Sequence, residues 1–63
     1  MRNEIKRLRK NAGLRQEDLA KRLGVSRQTI IAIENEKYNP TLELAMKLAK
    51  ELGKRVEEIF FLE

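Results

Sequence analysis

The apolar residues of this chain recur every three or four positions in five short stretches, and glycine or proline separates most of these stretches. Such spacing places the apolar side chains of a stretch on one face of an α-helix. The predicted helices cover about residues 2–11, 16–23, 27–35, 42–52 and 56–60. The predicted inward-facing residues are Ile5, Leu8, Ala12, Leu19, Ala20, Leu23, Ile30, Ile33, Leu44, Ala45, Leu48, Ala49 and Leu52. The chain is therefore expected to be all-α, a five-helix orthogonal bundle.

The second and third predicted helices, within residues 16–35, are joined by a very short connection. Gly24 follows the last apolar residue of the second helix, where a chain commonly adopts a positive φ to leave a helix. Ser26 is suited to cap the third helix, because its hydroxyl can accept from a backbone N–H of the first turn. This arrangement predicts a helix-turn-helix, a motif whose second helix enters the major groove of DNA.

The outward side of the third helix has an unusual composition for a surface exposed to water. It carries Gln28, Ile31, Ala32 and Asn35, with Arg27 near its N-terminal edge. A solvated helix face normally carries more charge than this. Amides and small or branched apolar groups match the edges of DNA bases, so this face is interpreted as the reading surface.

Several motifs together resemble the Cro/C1-type (XRE-like) helix-turn-helix family of transcriptional regulators, particularly its small stand-alone repressors. The resemblance spans about residues 5–60. The stretches that carry it are Ile5-Lys6-Arg7-Leu8-Arg9, Leu14-Arg15-Gln16-Glu17-Asp18-Leu19-Ala20, Gly24-Val25-Ser26-Arg27-Gln28-Thr29-Ile30, Ile33-Glu34-Asn35, Asn39-Pro40-Thr41-Leu42 and Glu57-Glu58-Ile59-Phe60. The resemblance implies a fold like the DNA-binding domain of lambda repressor, with residues 1–63 forming a single domain.

The resemblance assigns base reading to the first two turns of the third helix. The candidate base-reading residues are Arg27, Gln28, Thr29, Ile31 and Ala32. Arginine can bond guanine O6 and N7, glutamine can bond adenine N6 and N7, and apolar groups can contact a thymine methyl. The alternative is that the first three are ordinary solvated residues and that Ile31 is an exposed apolar side chain without a DNA role.

Contacts with the phosphate backbone are expected on both sides of this surface. The candidate phosphate-binding residues are Arg15, Gln16, Asn35, Lys37, Tyr38 and Asn39. Tyr38 can equally pack its ring against the fourth helix. Arg15 departs from the family, whose members usually have Thr or Ser there as a helix cap, and we expect it to forgo the cap for a phosphate contact. Arg55 makes the same departure before the fifth helix, with no function evident from sequence.

Arg9 and Glu34 are expected to have a structural role. The resemblance implies that they form a partly buried ion pair between the first and third helices. Removing either partner would then leave an uncompensated buried charge.

The C-terminal stretch contains more apolar surface than so small a core can use. The residues expected at a homodimer interface, within a dimerisation tail over about residues 56–63, are Val56, Ile59, Phe60, Phe61 and Leu62. A short extended pairing at the end is one form that such an interface could take. The alternative is a frayed tail with Phe61 folded back on its own domain.

Composition and charge narrow the function classes. The 63 residues include no cysteine and no histidine, which excludes disulfides and thiolate or imidazole chemistry. No metal site, cofactor or small-molecule ligand is expected. Residues 1–27 hold nine Lys or Arg and three acids, against five and seven in residues 28–63. A basic leading half suits a surface that faces phosphates, although a solvated helical surface would also explain it.

The expected function is sequence-specific binding of double-stranded DNA as a homodimeric repressor that recognises an inverted repeat. The alternative is an antitoxin-like or other protein-interaction module with secondary DNA binding. An enzyme is not expected, because the sole serine is assigned to a helix cap and no nucleophile–base set is present. The longest apolar run, residues 59–62, is too short to span a membrane, and we expect a cytoplasmic location.

Overall fold

A computed structural model describes residues 1–62 and contains the five expected helices. In chain order the elements are β1 (Arg2–Asn3), α1 (Ile5–Asn11), α2 (Gln16–Leu23), α3 (Arg27–Glu34), α4 (Leu42–Leu52), α5 (Val56–Ile59) and β2 (Phe60–Phe61). The prediction of an all-α bundle with a helix-turn-helix is confirmed. Residue 63, the end of the predicted dimerisation tail, lies outside the described residues.

The N-terminal residues form a strand and not the first turn of α1, which corrects the predicted start of that helix at residue 2. Arg2 pairs with Phe61 and Asn3 with Phe60 in an antiparallel two-stranded sheet. The backbone N–H of Glu4 also donates to the carbonyl of Ile59 at 2.9 Å. These bonds hold the first residues extended, and α1 begins at Ile5.

The core lies where all five helices meet. The large side chains that are almost completely buried are Ile5, Leu19, Ile30, Ile33, Leu48 and Ile59. Leu14, Val25, Ala49, Leu52 and Val56 pack against this core from partly buried positions. Ala12 was expected to face inward and is exposed, because α1 ends at Asn11 and the chain turns away there.

Two of the helices begin at a conventional cap and two at an arginine. Ser26 Oγ accepts from the N–H of Thr29 and Thr41 Oγ1 from that of Leu44, both at 3.2 Å. Arg15 precedes α2, and its guanidinium cannot accept such a bond. Asp18 nevertheless accepts from the backbone N–H of Arg15 at 2.8 Å. Arg15 therefore supplies no side-chain cap, as expected, while Asp18 retains the other half of a capping box.

Four helices end in the same way, with a residue of positive φ after the last turn. Gly13, Gly24 and Gly53 end α1, α2 and α4, while Glu36 takes this position after α3 with a φ of 60°. In the turn after α3 the N–H of Lys37 donates to the carbonyl of Ala32 at 2.9 Å, as in a Schellman motif. A side chain with a Cβ atom is strained in this conformation, whereas glycine is not.

No helix among residues 1–62 is both long enough and apolar enough to cross a membrane.

We predict that Glu36→Gly stabilises the fold by about 0.5–1 kcal/mol, because glycine adopts the required positive φ without the steric cost of a Cβ atom. The free energy of unfolding is measured by urea denaturation monitored by circular dichroism. Glu36→Gln is the matched control, since it removes the charge and keeps the strained backbone. A glycine variant no more stable than the glutamine variant would contradict the assignment of strain.

Candidate nucleic-acid interface

The turn between α2 and α3 is built as the sequence predicts. Gly24 adopts a φ of 70°, and the N–H of Val25 donates to the carbonyl of Ala20 at 3.0 Å. Val25 is thereby partly buried against the core. Ala20 is 3% exposed at the contact between the two helices, where a small side chain allows close approach. These features hold α2 and α3 as one rigid unit.

The first turn of α3 presents two polar side chains to solvent. Arg27 and Gln28 are exposed, and neither makes a hydrogen bond or ion pair with residues 1–62. Thr29 is only partly exposed, and its hydroxyl lies 3.0 Å from that of Ser26. Arg27 and Gln28 are therefore the most accessible of the predicted base-reading residues, while Thr29 also supports the cap.

Further along α3, Ile31 and Ala32 are both partly buried. They lie on the same side of the helix as Gln28, one turn away, because three or four residues complete a helical turn. Ile31 is therefore only partly exposed, which meets the expectation of an exposed apolar side chain in part. These two residues give the outward side of α3 a mainly apolar strip behind its polar first turn.

A buried ion pair fixes the position of α3 against α1. Arg9 Nε donates to Glu34 Oε2 at 2.7 Å, and the two side chains are 7% and 2% exposed. A second guanidinium nitrogen of Arg9 donates to the carbonyl of Leu14 at 2.8 Å. Gln16 Nε2 donates to Glu34 Oε1 at 3.1 Å, so the same carboxylate also binds the start of α2. The first three helices are thus joined through one carboxylate.

Three of the predicted DNA-contacting residues line one shallow depression. It has a volume of about 350 Å³ and is lined by Arg9, Arg15, Gln16, Glu17 and Arg27. Arg15 is paired with two acids in the first turn of α2, at 3.2 Å from Glu17 and 3.2 Å from Asp18. This pairing places two negative charges beside Arg15, which sequence reasoning missed.

The remaining predicted phosphate contacts follow α3 and are all exposed. They are Asn35, Lys37, Tyr38 and Asn39. Tyr38 is 44% exposed. Lys37 has no acidic partner among residues 1–62. The structure thus brings this group to the C-terminal end of α3, opposite the depression at its N-terminal end.

Asn3 positions α3 as well, and sequence reasoning missed it. Its Nδ2 donates to the carbonyl of Ile33 at 2.9 Å, and its Oδ1 accepts from the N–H of Ile5 at 3.1 Å. Because the backbone of Asn3 pairs with Phe60, the chain ends are linked to the last turn of α3. Asn3 lay inside the predicted first helix, so the sequence carried no signal for this role.

The predicted dimer-interface residues separate into two groups. Ile59 is fully buried and Phe60 is 8% exposed within a single chain, which corrects their assignment to an interface. Phe61 folds back on its own domain, with the Arg2 guanidinium 4.5 Å from its ring centroid. The extended pairing at the chain end exists, but it joins β1 and β2 of one chain. Leu62 is 93% exposed and Val56 is partly exposed.

No group of three or more His, Cys, Asp or Glu side chains within residues 1–62 is arranged to hold a metal ion.

A family model described as Helix-turn-helix matches residues 5–59. The chain belongs to the Cro/C1-type helix-turn-helix family. It is a DNA-binding transcriptional regulator and not an enzyme, as predicted. The matched residues include the whole turn and both helices of the motif.

Relatives and solved structures agree with this membership. The chain is 59% identical over 63 residues to an uncharacterized HTH-type transcriptional regulator of Methanocaldococcus jannaschii, covering all of this chain and 96% of the relative. A Bacillus subtilis regulator described in the same words is 44% identical, with the same coverage. The restriction-modification controller protein C.AhdI of Aeromonas hydrophila superposes with a TM-score of 0.82 at 33% identity, covering 90% of this chain and 86% of that one. A hypothetical transcription factor from Neisseria superposes with a TM-score of 0.80 at 31% identity, covering 87% of this chain and 62% of that one.

We predict that Glu34→Gln destabilises the fold by about 3 kcal/mol, because it leaves the buried Arg9 guanidinium without a compensating charge. Glu43→Gln is the control, since it removes an exposed pair with Lys47 and should cost less than about 1 kcal/mol. Urea denaturation of both variants gives the comparison. Equal losses in the two variants would show that the buried pair has no special weight.

We also predict an acid-dependent contribution from the start of α2. The backbone N–H of Arg15, with its guanidinium, holds the pKa of Asp18 below its ordinary value. Because the folded state binds this proton less readily than the unfolded state, the stabilisation is present at neutral pH and is lost as pH falls below about 4. The difference in unfolding free energy between wild type and Asp18→Asn should therefore shrink on acidification. A difference independent of pH would contradict this.

Proposed function

We propose that this chain is a repressor that binds an inverted-repeat operator as a homodimer, with residues 1–63 acting as one domain in the cytoplasm. The observation that carries the proposal is the exposure of Arg27 and Gln28 in the first turn of α3, without bonding partners among residues 1–62, on helices joined through Glu34. A rigid support reduces the conformational entropy lost when a reading helix enters the groove. The reading residues in this proposal are Arg27, Gln28, Thr29, Ile31 and Ala32.

The backbone contacts of the proposed complex lie at both ends of α3. Gln16 uses one amide hydrogen for Glu34 and retains a second for a phosphate oxygen. Asn35, Lys37, Tyr38 and Asn39 bind the opposite strand from the loop after α3. Arg15 contributes less to phosphate binding than its charge suggests. Its ion pairs with Glu17 and Asp18 must break before the guanidinium can bind a phosphate fully.

The proposed dimer surface is the exposed apolar area of α4, α5 and the chain ends. Leu42 is 73% exposed and Met46 56%, unusually high values for large apolar side chains. Leu42 lies between two depressions, one of about 520 Å³ toward Val56 and Leu62 and one of about 400 Å³ beside Met46. Exposed apolar patches of this kind mark protein interfaces.

Selection of bound sequences from random duplex DNA, at stated salt concentration, tests the proposal. We predict enrichment of an inverted repeat with half-sites about 34 Å apart, because two copies related by a two-fold axis read one face of the helix. Gln28→Ala should relax the preference at one position in each half-site, at a cost of about 1–3 kcal/mol. Binding without any sequence preference would contradict the proposal.

Sedimentation provides the second arm of this experiment. Wild type should be a dimer at high micromolar concentration, and Leu42→Glu with Met46→Glu should be a monomer with its helical content retained. Lys21→Glu is the matched control, since it changes the net charge by the same two units at an exposed position that lines neither depression. A monomeric wild type would reject the dimer and would favour the alternative in which this apolar surface binds a different protein, as in an antitoxin.

A further inference from the structure

Two lysines on α1 have no role in the fold or in the surface already described. Lys6 and Lys10 are exposed and make no ion pair with any residue in the described part of the chain. They are four residues apart, so their ammonium groups lie above one another on the same helix face. Like charges at this spacing destabilise a helix, which indicates that the fold itself does not benefit from them.

The position of this lysine pair follows from the ion pair that joins α1 to α3. Lys6 and Lys10 line a shallow depression of about 460 Å³ together with Asn3, Glu4, Arg7 and Glu34. Glu34 is the last residue of α3. The two lysines therefore lie beside the C-terminal end of α3, where the exposed loop with Lys37 begins.

The two acids in this depression do not neutralise the lysines. Glu34 is bound to Arg9 at 2.7 Å, and Glu4 is bound to Arg7 at the same distance. Each of these pairs is neutral as a unit, so the depression retains the two positive charges of Lys6 and Lys10. Lys6, Lys10 and Lys37 outnumber the exposed Glu36, so this end of α3 carries a net positive charge.

The width of the major groove indicates why this basic area would lie close to the phosphate backbone. The major groove is about 12 Å wide, and an α-helix with its side chains is about 10–12 Å across. A helix that fills the groove brings groups beside its ends against the flanking sugar-phosphate strands. Lysine suits such a contact, because it is a flexible point charge that needs no fixed partner geometry.

We propose that Lys6 and Lys10 form an additional phosphate-binding site on α1, which grips the same DNA strand as the loop after α3. This inference rests on the proposed DNA binding and extends the contact surface to a helix outside the helix-turn-helix. The site binds the backbone without reading bases, so it contributes to affinity on any duplex.

The test compares two double variants on a random-sequence duplex of fixed length. Lys6→Gln with Lys10→Gln removes the proposed contacts. Lys50→Gln with Lys54→Gln, the α4 variant, removes the same charge from two exposed lysines at and just after the end of α4, which form no ion pair among residues 1–62. Fluorescence anisotropy gives the association constant at several salt concentrations. Circular dichroism verifies that both variants retain the helical content and melting behaviour of a folded chain.

The expected result is a salt dependence that becomes shallower by about 0.9 for each phosphate that the protein no longer neutralises, so by about 2 per protomer for the α1 variant. The α4 variant should keep the wild-type slope. The α1 site would be overturned if the two variants had the same slope as each other, either unchanged from wild type or equally reduced. DNA binding itself would stand. If wild type binds duplex DNA but selects no sequence, the proposed operator fails and the α1 site is still decided by the slopes. Absence of any binding would reject both.

Discussion

The position of α3 depends on the buried carboxylate of Glu34. It accepts from Arg9 at 2.7 Å and from Gln16 at 3.1 Å, and Arg9 also donates to the carbonyl of Leu14. Burying opposite charges stabilises a fold only when their remaining donors and acceptors are also satisfied. That condition is met here, since no buried side-chain nitrogen or oxygen in the described chain lacks a partner. Because hydrogen bonds are directional, this network adds an angular constraint on α3 to the apolar packing of the core.

The groups that orient α3 and the groups that it presents are separate sets. The orienting bonds are buried or come from the chain ends, as with Asn3 and the carbonyl of Ile33. The presented side chains, Arg27 and Gln28, make no bonds within the described chain. In the proposed complex, substitution of the presented residues changes sequence preference without changing the support. This division explains how small domains of one fold recognise different sequences.

Local signals in the sequence were sufficient for most helix boundaries. The bounds of α2 and α4 agree with the prediction, because glycine at the end and a polar residue at the start act within a few residues. The start of α1 was missed, since Arg2 and Asn3 are compatible with a helix and are held extended by residues 60 and 61. The positive φ of Glu36 was also missed, because glutamate carries no signal for that conformation. The exposure of Arg27 and Gln28 on α3 was predicted from helical spacing, whereas the acidic partners of Arg15 and the bond from Gln16 to Glu34 were not.

The sequence by itself determined the class of fold, the position of the helix-turn-helix and the residues on the outward side of α3. It could do so because helical periodicity and capping depend on neighbours along the chain. Only the tertiary structure decided that the chain ends form a sheet, that Ile59 and Phe60 complete the core, and that Leu42 and Met46 remain exposed. These outcomes depend on which distant surfaces meet, and no local pattern specifies how much apolar area one small core can bury.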